Sequence, residues 1–291
     1  MVAALSAVGN ARISAADFAL PALNSPASNE HHPGKVVWAD LVTPDLPAAE
    51  KFYGTLFGWT FQNVHAGNHD YAVAMLDGRP IAGLLEKAGP VGSRQQPAWL
   101  TFLAASDLDG TKRTALAHGA KVLTNDRTYP RRGQQCVLSD PEGAVFALLA
   151  SSSGDPPDYL PAVGEWIWSS LHAKDAGAEA AFYQQLFNYD VFEAPSDDGQ
   201  VHLILSSDNY ARVSANDLAQ GSARRHPHWL NFVRVADAAE AAAKVRALGG
   251  RVLVEPRADR HGGMLAVVAD PAGAPIGLME WSDSDPKEEP K

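Results

Sequence analysis

The stretch "FYGTLFGW" at residues 52–59 returns as "FYQQLFNY" at residues 182–189, 130 positions later. In a chain of 291 residues, so distant a match is either a short motif used twice or the mark of a duplicated domain. A constant shift of 130 favours duplication, because it also places Trp38 on Trp168, Leu41 on Leu171 and Asp45 on Asp175. The same shift aligns "PAWLTF" (97–102) with "PHWLNF" (227–232), "HGAKVL" (118–123) with "LGGRVL" (248–253), and "SDPEGA" (139–144) with "ADPAGA" (269–274). The copies are read as residues 35–150 and 165–282, joined by a Pro- and Ser-rich linker over 151–164. Residues 1–34 and 283–291 have the polar, Pro-bearing composition expected of a flexible N-terminal tail and a disordered C-terminal one.

The quoted phrase itself reads as a helix packed on a sheet. Ala49, Phe52, Tyr53 and Leu56 fall at i, i+3, i+4 and i+7, which makes one apolar stripe. Asp45 is placed to cap the N-terminus, Pro47 falls in the first turn, and Gly58 can take the left-handed conformation that ends a helix. Asp175 and Asn188 take the capping places in the second copy. A β-branched run precedes each helix and three strand-like runs follow it, and the plan then restarts at "PAWLTFLAA" with Asp107 as the next cap. "DPEG" and "DPAG" suit type I turns between closing strands. The chain is therefore α+β, with four β-α-β-β-β units arranged as two tandem domains.

Composition bounds the partners. The formal charge is −10 and the pI is near 5.4, so the long-range field repels nucleic acid and anionic membrane surfaces. No apolar run reaches the roughly eighteen residues of a membrane span. Cys136 is the only cysteine, which excludes disulfides and multi-cysteine metal sites. A cytoplasmic location is expected, with a remnant of an export signal in "MVAALSAVGNARISAADFAL" as the lesser reading.

A β-α-β-β-β unit used in pairs, opened by "VTPDLPAAEKFYGTLFGW" and closed by "LSDPEGAVFALL", resembles the glyoxalase, bleomycin-resistance and extradiol-dioxygenase group, the vicinal oxygen chelate superfamily. The resemblance spans residues 35–281 and implies two glyoxalase-like domains, each a curled mixed sheet around a cleft. It also implies metal ligands, His, Gln or Glu, on the first and last strands of each unit. Those positions fall on Trp38, about Gly83, Leu100 and Ala147 in the first half, and on Trp168, about Val213, Leu230 and Gly277 in the second. None of them is a good donor to a divalent ion, so no metal and no other cofactor is expected. Glu86, His228 and Glu280 are the nearby donors through which an atypical metal site could still be built.

Alternation along the strands puts Trp38, Asp40 and Phe102 in the first cleft, and Trp168, His172, Phe232 and Arg234 in the second. Tyr71 and His202 are further candidates to point inward. Asp40 and His172 are candidate acid–base groups, and Arg234 is a candidate clasp for an anion. Such clefts suit a small, partly apolar organic ligand with one or two polar handles. Three readings follow: a metal-independent binder with a possible lyase or isomerase step; a non-catalytic sequestering protein of the bleomycin-binding type; or a metal-dependent lactoylglutathione-lyase- or dioxygenase-like enzyme with atypical ligands. Cys136 reads as a buried inert thiol, and the glycines after Arg131 and His261 read as turn residues. Either a monomer or a homodimer is compatible with the duplication.

Overall fold

The first unit runs β1 (Val36–Thr43), α1 (Leu46–Phe57), β2 (Thr60–Ala66), β3 (His69–Leu76) and β4 (Arg79–Glu86). In this computed structural model, which describes residues 20–66, 69–87, 96–195, 200–218, 226–259 and 262–281, three more such units follow. They are β5 (Ala98–Ala104), α2 (Leu108–Ala117), β6 (Lys121–Val122), β7 (Arg127–Tyr129), β8 (Gly133–Ser139) and β9 (Val145–Ser151); β10 (Trp166–Ala173), α3 (Ala176–Phe187), β11 (Asp190–Glu193), β12 (His202–Ser207) and β13 (Tyr210–Asp217); and β14 (His228–Arg234), α4 (Ala238–Ala247), β15 (Arg251–Ala258), β16 (Met264–Ala269) and β17 (Pro275–Met279). In the second unit the strand expected over 120–124 is cut to the two residues of β6, and β7 is a further short strand that also pairs with β8. Between them the Thr124 side chain accepts from Val137 N at 3.1 Å, in place of a ladder bond.

Capping follows the sequence. Asp45 accepts from Ala48 N at 2.9 Å, Asp175 accepts from Ala178 N at 2.9 Å, and Gly58 and Asn188 end their helices with φ of 77° and 54°.

Each pair of units makes one mixed sheet. The first has the order β2-β3-β4-β1-β5-β9-β8-β6, with β7 on β8, and the second β11-β12-β13-β10-β14-β17-β16-β15. The two units of a domain join along an antiparallel seam, β1 with β5 and β10 with β14. One face of each sheet carries helices, and the opposite face curls around a cleft.

The helical faces of the two domains pack on each other crosswise. Leu46, Phe52 and Tyr53 of α1 share a core with Val245 of α4 and Ile276 of β17, while Phe182 and Tyr183 of α3 share one with Leu138 and Phe146 of the second unit. Hydrogen bonds repeat the crossing. Tyr53 Oη donates to Asp270 Oδ2 at 3.1 Å and Tyr183 Oη donates to Asp140 Oδ2 at 3.1 Å. Trp59 Nε1 donates to Gly164 O at 2.8 Å, and Tyr189 Oη donates to Gly34 O at 2.5 Å. Thr101 meets its own counterpart, Asn231, at 3.0 Å. Reciprocal contacts of this kind mark an internal two-fold axis.

Residues 20–34 fall inside the expected flexible tail, yet the structure packs them. Ser28 N donates to Ser153 O at 3.0 Å, Asp155 N to Glu30 O at 2.7 Å and His32 N to Asp155 Oδ2 at 2.7 Å. The linker expected over 151–164 is what they pack against. Gly154 permits the approach with φ of 79°, and a Cβ there would collide with Ser28 Oγ. Residues 1–19 and 282–291, with the export-signal reading and the C-terminal tail, lie outside the described residues.

Candidate functional site

In the first cleft, strand alternation brings Trp38 and Asp40 to one face of β1, with Asp40 in register with Gly83 on β4 and Leu100 on β5. Trp38 Nε1 donates to Asp40 Oδ1 at 2.7 Å, and Tyr71 Oη donates to the same oxygen at 2.8 Å. Gly83 is required by that meeting, since a Cβ there would collide with Tyr71 Oη and Asp40 Oδ1. Burial pushes the Asp40 carboxyl above the usual carboxylate range, opposed by the Tyr71 and Trp38 hydrogen bonds and by the charge of Arg132. The Arg132 guanidinium lies 3.8 Å from the Trp38 ring centroid and is 1 % exposed. Phe102, in register with Trp38, completes the floor. This cleft is filled, because Leu20 and Leu23 from the N-terminal segment join its apolar cluster.

The second cleft is built differently. A row of paired positions crosses four strands: His202 on β12, Asn216 on β13, His172 on β10 and His228 on β14. Partners in register share a sheet face, so four polar side chains line one edge. His202 Nδ1 lies 2.7 Å from Asn216 Oδ1, and the His172 and His228 rings stack at 5.1 Å and 16°. Burial, with His228 and His202 adding to it, pushes His172 down to about 4, so it is neutral at physiological pH. In the next row Asn216 Nδ2 donates to Ser170 Oγ at 2.5 Å, Ser214 Oγ to Ser170 Oγ at 3.1 Å, and Trp168 Nε1 to Ser214 Oγ at 3.1 Å. Below it Trp168, Phe232, Met279 and Trp281 make an apolar floor. Trp168, His172, His202 and His228 are half-buried, whereas their counterparts Trp38 and Tyr71 in the first cleft are 4 % and 3 % exposed.

One sequence expectation needs correction. The halves do not keep a shift of 130 throughout: the hairpin residues Asp77 and Asp208 differ by 131, so the counterpart of Gly83 is Ser214, the partner of Ser170, and not Val213. Val213 is 1 % exposed on the opposite, helical face. Arg234 lies at the other end of β14 from His228, where Nη1 donates to Pro161 O at 2.7 Å and Nη2 to Trp281 O at 3.0 Å. It lines a cavity with Val163, Glu280 and Trp281, the last of which also belongs to the apolar floor, and it stands at the opposite end of the strand from the polar row.

The donor set does not fit the metal that the architecture implies. Among the described residues no three His, Cys, Asp or Glu side chains are grouped to hold an ion. Glu280 Oε1 accepts from Ala238 N at 2.8 Å at the start of α4, at the far end of the sheet from His228. Burial pushes the Cys136 thiol up to about 12, which leaves it a poor nucleophile. Arg132, Asn216 and Ser214 are the polar groups that sequence reasoning missed.

Two curled mixed sheets, each assembled from a pair of β-α-β-β-β units around a cleft, define the vicinal oxygen chelate architecture. The model of the glyoxalase-like domain matches twice, over residues 36–149 and 168–279, and the chain belongs to that family. A Mycobacterium tuberculosis protein named "Putative glyoxylase CFP32" is 28 % identical over 266 residues, covering 88 % of this chain and 98 % of the relative. The anthracycline biosynthesis protein DauV of Streptomyces sp. (strain C5) is 27 % identical over 269 residues, covering 87 % and 96 %. Among solved structures, the Mn(II)-bound glyoxalase from Novosphingobium aromaticivorans superimposes with a TM-score of 0.60 at 14 % identity, covering 86 % of this chain and 83 % of that one. The 2,2',3-trihydroxybiphenyl 1,2-dioxygenase of Sphingomonas wittichii strain RW1 gives 0.61 at 17 %, covering 85 % and 90 %. At such identities the superpositions speak for the fold alone.

Proposed function

We propose that the second cleft binds a small, flat, partly apolar organic molecule without the help of a metal. The observation that carries this is the half-open polar row of His202, Asn216, His172 and Ser170 above the floor of Trp168 and Phe232. The floor offers ring faces and the row offers donors and acceptors at one edge, which suits a fused-ring ligand with oxygen substituents. The relative named for anthracycline biosynthesis makes an anthracycline a rational first probe.

His172, held neutral, can accept a proton from an acidic position of such a ligand, with the His228 ring stacked behind it. An imidazole pushed down to about 4 is nevertheless a weak base, and this favours the second reading, sequestration without turnover. Titration of an anthracycline, followed by its fluorescence, tests the binding. Trp168→Ala should weaken it about tenfold, the equivalent of roughly 1.4 kcal/mol, and a chelator should leave the affinity unchanged. Indifference to Trp168→Ala would sink the assignment to this cleft, and sensitivity to the chelator would sink the metal-free reading. Mass analysis of the recovered probe then separates turnover, which His172→Ala should stop, from sequestration.

A further inference from the structure

The first cleft contains a guanidinium that the reading of the second cleft does not use. Arg132 follows Tyr129 at the end of β7, where Arg132 N donates to Tyr129 O at 3.1 Å and the chain must turn at once into β8. Gly133 makes that turn at φ of 113°, with its α-carbon so close to β9 that a Cβ would collide with Ala150 O. The turn throws Arg132 inward over Trp38. Gly262 stands at the equivalent position in the second half.

The donors of Arg132 are half used. Nε donates to Pro21 O at 2.7 Å, while Nη2 is buried and meets no acceptor. Nε and Nη2 form the side-on fork of a guanidinium, a pair of parallel donors spaced for the two oxygens of a carboxylate. One backbone carbonyl can fill only half of it. The carbonyl comes from the chain's own N-terminal strap. Leu20, 5 % exposed, and Leu23 lie among the aromatic residues of the cleft, and the strap is pinned where Leu23 N and Asn24 N both donate to Ser153 Oγ at 3.1 Å.

We infer that the first cleft is a latent binding site for an apolar or aromatic carboxylate, read by the side-on fork of Arg132 over the Trp38 ring and occupied at rest by residues 20–23 as an internal surrogate ligand. Pro21 O takes the place of one carboxylate oxygen, and the leucines take the place of the apolar body. A ligand must displace the strap, so its apparent affinity is reduced by the fraction of molecules in which the strap is lifted. This inference does not rest on the second cleft.

The test uses the full chain, with benzoate as probe and benzamide as its neutral isostere, and affinities read by calorimetry. Leu20→Gly with Leu23→Gly unseats the strap without adding a charge, because it removes the apolar side chains that hold the strap among Trp38, Tyr71 and Phe102. Benzoate should then bind at least tenfold tighter than to the unaltered chain, benzamide should not, and Arg132→Lys added to the same chain should erase the gain. Should the doubly substituted chain fail to fold, Ser153→Ala, which removes the hydroxyl that Leu23 N and Asn24 N bind, takes its place, with a smaller gain of the same sign. No gain in either variant, an equal gain for benzamide, or a gain that survives Arg132→Lys would overturn the inference.

Discussion

Glu179 sits on α3 at 1 % exposure, facing Asp140 and Glu142 across the domain contact. Its counterpart in the first half is Ala49. Burial, reinforced by the charge of Asp140, pushes Glu179 upward to about 9, so the folded chain holds a proton that the unfolded chain releases at the ordinary carboxylate value. The folded state binds the extra proton between those two values. Stability is therefore greatest at the acid end of the window and falls as pH rises through it. Glu179→Gln should raise Tm at about pH 8 by a few degrees, at roughly 2–4 °C per kcal/mol for a chain this long, and change it much less near pH 5, where the unfolded carboxyl is close to its own protonation range and the bound proton costs little. A thermal scan at both values checks this; equal shifts at the two would show that protonation is not the cause. A second single-site expectation concerns Gly83. Gly83→Ala forces Tyr71 and Asp40 apart and should cost about 1–3 kcal/mol, read from denaturant midpoints. Strand alternation put Asp40 on the cleft face and offered Tyr71 as a candidate to point inward, without bringing the two together, and it gave no sign of Arg132, because a side chain entering a cleft from a turn obeys neither strand nor helix periodicity.

The helices that announced the repeat serve the domain contact more than the cleft. Tyr53 on α1 and Tyr183 on α3 each accept an indole N–H, from Trp99 at 3.1 Å and Trp229 at 3.2 Å, and each donates to an aspartate of the opposite domain. The periodicity of "FYGTLFGW" made Phe52 and Tyr53 core-facing without revealing that the core belongs to two domains, since an apolar stripe does not say what it packs against. Tyr53→Phe leaves Asp270 Oδ2 and Trp99 Nε1 without these partners and should destabilise by roughly 1–3 kcal/mol. Tyr183→Phe should cost less, because the proton held by Glu179 still serves Asp140. Paired denaturant titrations give the comparison, and the reverse order would contradict that role for Glu179. The one-residue offset at the hairpins was hidden for a related reason. It lies between flanking segments that both keep the shift of 130, and only the pairing of Ser170 with Ser214 exposes it.

Duplication gives the molecule one interface and two unlike clefts. The crosswise cores join α1 to the fourth unit and α3 to the second, so neither domain covers its helical face alone. A contact made of fully buried residues such as Leu41, Leu84, Val245, Ile276 and Leu278 resembles the inside of a domain rather than a transient interface. The covalent linker is then dispensable once the chain has folded. The segment around Tyr159, Leu160 and Val163 is exposed, which makes it accessible to an inserted protease site. Cleavage there should leave the two halves eluting together at the size of the uncut chain, and the nicked protein should still melt in a single transition. The halves should part only under denaturant, after which refolding from dilute mixtures becomes concentration-dependent, as it does for an obligate dimer. Separation of the halves in native buffer would mean that each sheet closes its own core, and the reciprocal bonds of Tyr53 and Tyr183 would then be ornaments of the contact rather than its cause.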